Sequence, residues 1–187
     1  MSIMIVYHGG TEKVKSPICG FGRNNLDFGK GFYVTDLREQ AVMWASNMAR
    51  NRKKRPVLNR YRLDIEAVLK EFRCKVFKAY DAEWLEFIVA NRSGKDVAGE
   101  FDFVEGGIAN DRVVDTVNLY TAGLIELGSA LRELSRHQPN NQMCILNQDI
   151  NGTAVSHGCM RINNDDLKEF YEIAPNHGAN TKIVITD

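Results

Sequence analysis

Three segments of this chain carry residues suited to gripping a dinucleotide. His8-Gly9 sets an imidazole, which can donate or accept a hydrogen bond, beside a backbone that a ligand amide can approach closely. Gly29-Lys30-Gly31-Phe32-Tyr33 is a Gly-rich loop ending in an aromatic, and a flat ring such as Tyr33 can stack on nicotinamide. Gln142 opens a late apolar run and can present its amide to a ribose hydroxyl. A fourth segment, Ser156-His157-Gly158-Cys159-Met160-Arg161, has the parts of acyl transfer. It offers a thiol nucleophile at Cys159, a nearby His157, a close-approaching Gly backbone for an oxyanion, and a cation at Arg161.

The elements that must position these residues follow from periodicity and punctuation. Residues 3–7 are β-branched and strand-like and stop at Gly9-Gly10. A second short strand spans 31–35, and Asp36 is placed to cap a helix carrying Ala41, Trp44, Ala45 and Met48. That helix runs into Arg50, Arg52, Lys53, Lys54 and Arg55 before Pro56 stops it. The basic run suits a helix C-terminus on a solvated face. Strands are expected over 57–63, 72–77, 101–104 and 142–146, with Asp81 capping a helix through Trp84, Leu85 and Ile88. Asp111 opens a further helix, Gly123 interrupts it, and a second helical pattern runs from 124 to 134. In the tail, Asn164 or Asp165 is placed to cap a helix through Leu167, Phe170 and Tyr171, followed by a strand over 181–186. The class is α+β, with a main domain over 1–148 and a strand-helix-strand appendage over 149–187.

Composition narrows the partners. Lys plus Arg equals Asp plus Glu at 24 each, so no global field selects a nucleic acid or an anionic membrane. Cys19, Cys74, Cys144 and Cys159 lie too far apart for a metal pair or a disulfide scaffold, so no metal is expected and the thiols are expected reduced and mostly buried. No apolar run has membrane-spanning length and no export signal is visible, which gives a cytoplasmic expectation with no membrane partner.

Tyr7-His8-Gly9, then Asp27-Phe28-Gly29-Lys30-Gly31-Phe32-Tyr33-Val34-Thr35, then a helix with Gln40, Ala41 and Ala45, resembles the NAD-binding half of the ADP-ribosyltransferase superfamily, its poly(ADP-ribose) polymerase branch in particular. The pattern is also similar to a bacterial family of unknown function placed there, with Gly106-Gly107-Ile108-Ala109-Asn110-Asp111 and a final Asn141-Gln142 strand. The resemblance implies a split, highly curved antiparallel sheet with flanking helices. NAD would be the substrate, held by His8 on the nicotinamide ribose, the Gly9 backbone on the carboxamide, Gly31, Tyr33 stacked on the ring, and Gln142. His8, Tyr33 and Gln142 would be the catalytic set of an ADP-ribosyltransferase or NAD glycohydrolase, with protein, nucleic acid, small molecule or water as acceptor.

Where that branch has a catalytic Glu, this chain has Gln142, which cannot act as a general base. Asp27, Asp36, Asp111 or Asp115 are the carboxylates open to replace its charge, and an NAD- or ADP-ribose-binding module with little turnover is the alternative. The 156–161 segment resembles the catalytic signature of the L,D-transpeptidases, which implies a Cys159 acyl-enzyme. The family's upstream His-Gly-Thr is Asn151-Gly152-Thr153 here, so the tail is also open to a purely structural reading.

Overall fold

The computed structural model describes residues 2–109, 111–151, 170–173 and 183–186. Calls on Asn110, on the 156–161 motif with His157, Cys159 and Arg161, and on the Asn164/Asp165 cap lie outside them. The class is α+β, with two four-stranded sheets and five α-helices among the described residues.

The strands are β1 (Ile3–Gly10), β2 (Phe32–Val34), β3 (Val57–Asp64), β4 (Cys74–Val76), β5 (Phe103–Gly106), β6 (Gln142–Ile145), β7 (Phe170–Ile173) and β8 (Ile183–Thr186). The helices are α1 (Arg38–Arg52), α2 (Ile65–Glu71), α3 (Ala82–Arg92), α4 (Asp111–Thr121) and α5 (Leu127–Leu134). One sheet has the order β1-β3-β7-β8 and the other β2-β6-β5-β4. The chain forms two compact units, residues 1–18, 33–71 and 148–187 in the first, 19–32 and 72–147 in the second.

In the first unit, β1 and β3 pair antiparallel along their whole length, from Ile3 opposite Asp64 to Gly10 opposite Val57. Alternation turns Val6, Tyr61 and Leu63 to one face, where all three are buried. The other face takes α1. Ala41, Ala45 and Ala49, four apart, form a buried stripe of small side chains on that helix. The stripe meets Gly9 so closely that a Cβ there would lie 2.0 Å from the Ala41 carbonyl oxygen and 2.9 Å from the Ala45 nitrogen. Gly9 is therefore required by helix packing, a constraint its place beside His8 did not suggest.

Two local expectations are corrected. Asp36 does not cap α1: the N-cap is Leu37 with no side-chain cap, and the Thr35 hydroxyl instead accepts the Leu37 N–H at 3.1 Å. Phe170 and Tyr171 lie on a strand, because β7 pairs with the outer edge of β3 through Leu58–Tyr171 and Val57–Glu172 and with β8 beyond it. The β3 edge and three residues of high strand propensity, Phe170, Tyr171 and Ile173, override the helical spacing.

In the second unit, β5 and β6 are antiparallel while β4 and β5 are parallel, a departure from an all-antiparallel sheet. Asp102 joins all three strand ends. Its carboxylate takes both Arg73 guanidinium bonds at 3.1 Å, the Arg73 N–H at 2.9 Å and the Asn147 amide at 3.1 Å, and its carbonyl accepts from Leu146 and Asn147. The Arg73 bonds hold the Asp102 carboxyl down at about 2. Asp81 caps α3 by accepting from the Trp84 N–H at 2.9 Å, Asp111 opens α4, and Gly123, at φ +70°, ends it, all as the sequence suggested.

Gly9→Ala is expected to destabilise the fold by about 3 kcal/mol or more, because backbone rather than a flexible side chain occupies the space. Gly20→Ala, with no heavy atom within 4 Å of the added Cβ, is the control. Thermal denaturation of both variants checks this, and equal melting temperatures would contradict the close approach.

Candidate functional site

Three of the residues singled out come together in the first unit. His8 Nδ1 lies 2.8 Å from the Tyr33 carbonyl oxygen. A carbonyl only accepts, so Nδ1 carries the proton and Nε2 is the acceptor nitrogen of the neutral ring. Burial lowers the His8 pKa, outweighing the Tyr33 carbonyl, which raises it. Near neutral pH this imidazole is therefore uncharged, with a fixed tautomer. Its Nε2 lies over Gly10, where an added Cβ would stand 3.4 Å away.

Gly9 follows, and the ladder fixes its backbone. Tyr7 donates its N–H to the Thr35 carbonyl at 2.7 Å and accepts the Thr35 N–H at 2.9 Å. Alternate residues of an antiparallel strand point their N–H and C=O the same way, so those of Gly9 point to this edge and away from β3. The pairing at this edge is a single bridge, Tyr7 with Thr35. Tyr33, half-buried, lies two residues before Thr35, and its carbonyl is the one that holds the His8 ring.

Asn59, fully buried on β3, locks the same corner, and sequence reasoning missed it. Its amide donates to the His8 carbonyl at 3.4 Å and to the Glu12 carbonyl at 3.2 Å, and its oxygen accepts the Val14 N–H at 2.8 Å. Tyr61 donates to the Val14 carbonyl at 2.7 Å. The signal available was a lone amide on a strand face that otherwise carries Val57, Tyr61 and Leu63.

Gly31 and Gln142 belong to the second unit. An added Cβ on Gly31 would meet Cys144 Sγ at 2.4 Å and the Ile145 carbonyl at 2.6 Å, so its glycine serves close packing. Gln142 opens β6 half-buried, paired with Gly106 and, by alternation, on the face that carries Cys144. Glu105, opposite Met143, points to the other face and does not stand in for a carboxylate at Gln142.

Asp27 is committed elsewhere. It is buried, pairs with Arg92 Nε at 2.6 Å and accepts the Ala109 N–H at 2.7 Å, while Asn91 donates to its carbonyl at 3.0 Å. The Gly106-Gly107-Ile108-Ala109 stretch is held by the same group and by Trp84 Nε1 on the Gly107 carbonyl at 2.6 Å and Asn140 on Ile108 at 2.7 Å. A Cβ on Gly107 would strike the Tyr80 ring at 2.4 Å. This motif is a structural clamp. Burial, with Asp102 and Glu105, pushes the Cys74 thiol up to about 11, which removes it as a nucleophile near neutral pH. Among the described residues no cluster of three or more His, Cys, Asp or Glu can hold a metal.

A family model for a protein of unknown function, DUF3990, matches residues 4–153. The chain belongs to the DUF3990 family. No curated protein and no solved structure matches it. The DUF3990 match takes in His8, Gly9, Gly31, Tyr33 and Gln142 and ends before His157, Cys159 and Arg161. No helix among the described residues is long and apolar enough to cross a membrane.

The lowered His8 pKa has a definite sign. Below about 6.5 the unfolded chain protonates this ring before the folded chain does, so stability falls as pH drops from there toward the folded pKa. His8→Gln is expected to flatten that part of the melting-temperature profile between about pH 6.5 and 5. An unchanged profile would show that the ring titrates normally in the folded chain.

Proposed function

We propose that this chain is an NAD-binding protein of ADP-ribosyltransferase type, which breaks the nicotinamide glycosidic bond and passes ADP-ribose to an acceptor or to water. One observation carries the reading: the Gly9 N–H and C=O point to the strand edge that bears the Tyr7–Thr35 bridge, beside a neutral His8 whose tautomer the Tyr33 carbonyl fixes. A primary carboxamide is the complement of such an edge, since it offers one acceptor and one donor side by side, as a neighbouring strand would. His8 Nε2, an acceptor, suits a ribose hydroxyl. Tyr33 suits the face of the nicotinamide ring.

In the reaction the bond between the ribose anomeric carbon and the nicotinamide nitrogen breaks, and its electron pair leaves with nicotinamide. The acceptor's nucleophile bonds to the anomeric carbon and loses its proton. The oxocarbenium-like charge between these events is best stabilised by a carboxylate. The resemblance assigns Gln142 to the ribose, and an amide carries no negative charge.

Asp27, engaged with Arg92 and Ala109, supports a second reading, an NAD-binding module with little turnover. Labelled NAD separates the two when nicotinamide release and protein-bound label are followed together in the parent, Tyr33→Ala and Gln142→Glu chains. Both readings require saturable NAD binding that falls at least tenfold in Tyr33→Ala. Release by the parent identifies the enzyme, whereas release only by Gln142→Glu identifies the module. Absence of binding by the parent would overturn both.

A further inference from the structure

The first unit carries a concentration of positive charge assembled from two segments far apart in sequence. Arg50, Arg52, Lys53, Lys54 and Arg55 are all exposed at the end of α1, five cations in the six residues 50–55. Lys13 and Lys15 are exposed on the loop after β1. The fold joins the two. Lys54 pairs with Glu12 at 2.5 Å, and buried Asn59 and Tyr61 pin the backbone of Glu12 and Val14 to β3. The Lys54 hydrogen bond and charge, with the Arg52 charge adding to them, hold the Glu12 carboxyl below its usual range. Five exposed cations at the end of α1 and two on the 12–15 loop are thus joined through the Lys54–Glu12 pair, in a chain of formal net charge zero.

The turn that presents these cations is tightly formed. Lys53 sits in the left-handed region at φ 54°, its N–H bonded to the Ala49 and Arg50 carbonyls, while Lys54 N–H bonds back to Ala49. Glycine is the usual residue at such a helix end. A lysine there places a charge where conformational preference favours no side chain. About two turns earlier on α1, Met43 and Trp44 are 55% and 51% exposed, and Met43 shares a face with Arg50 seven residues on.

From this geometry we infer that the end of α1 and the 12–15 loop form a binding surface for a single-stranded nucleic acid. Clustered cations match the phosphodiester chain, and the exposed indole of Trp44, about two turns earlier on the same helix, matches a base face. An anionic membrane fits less well. The small apolar face of α1 is packed on Gly9, its exposed positions mix Glu39 and Asn47 with Met43 and Trp44, and two of the cations are on a loop, so no continuous apolar stripe is left to insert. The surface stands independently of the NAD reading.

The test is fluorescence anisotropy of a labelled, mixed-sequence single-stranded oligonucleotide, as RNA and as DNA, against the full chain between about 50 and 200 mM salt. Replacing Lys15, Arg50 and Arg52 by Gln and Lys53 by Gly is expected to lower affinity more than tenfold and to reduce the salt slope by about 3, at about 0.7 per cation. Lys53→Gly alone is expected to keep or raise the melting temperature while weakening binding about fivefold near 0.1 M salt. Lys70→Gln with Lys78→Gln, exposed cations elsewhere, should leave binding unchanged. Binding that is absent in the parent, unaffected by the four-residue change, or replaced by binding to phosphatidylserine vesicles alone would overturn the inference.

Discussion

The first unit depends on the contact between α1 and Gly9. With no side chain at that position and only Ala41, Ala45 and Ala49 on the facing helix, helix backbone rests almost directly on strand backbone. Any Cβ at Gly9 would lift the helix from the sheet and with it the turn at Thr35 to Leu37 that leads into α1. That turn bears the Tyr7–Thr35 bridge, and Tyr33 just before it supplies the carbonyl that orients His8. One close approach thus fixes the helix, the strand edge and the state of the imidazole together.

Much of the fold was legible because local and tertiary preferences agree. The alternation of β3, the Asp81 cap of α3, the start of α4 at Asp111 and the break at Gly123 each follow from a short-range rule that burial does not oppose. Where they disagreed, the sequence misled. Asp36 is a better capping residue than Leu37, but the bridge at Thr35 sets the chain's path and makes Leu37 the N-cap, its own N–H taken by the Thr35 hydroxyl. Phe170 and Tyr171 answer to the open edge of β3, a partner more than a hundred residues away that no local pattern reveals. The parallel pairing of β4 with β5 is equally invisible to periodicity, which reports faces and not strand direction.

The candidate site was legible by residue type and less so by reason. His8 was visible as an imidazole at a strand end, yet its tautomer depends on the Tyr33 carbonyl and its charge on burial, neither of which spacing conveys. Three glycines prove to be required by packing as well: Gly9 accommodates α1, Gly31 accommodates Cys144, and Gly107 accommodates Tyr80. Asp27 was one of four carboxylates available to replace a missing charge, and its pairing with Arg92 turns it into a fastener for the Gly106 to Ala109 stretch. The chemistry we propose for the first unit is recognition of a carboxamide by a backbone edge, with a ring acceptor beside it.

That recognition is tested most directly by NMR on protein labelled with ¹⁵N-glycine, titrated with nicotinamide and with nicotinic acid. Nicotinamide should shift the Gly9 amide resonance saturably, and nicotinic acid, which lacks the amide donor, should do so at least tenfold more weakly. An unmoved Gly9 resonance, or equal shifts with the two ligands, would contradict a carboxamide site at this strand edge.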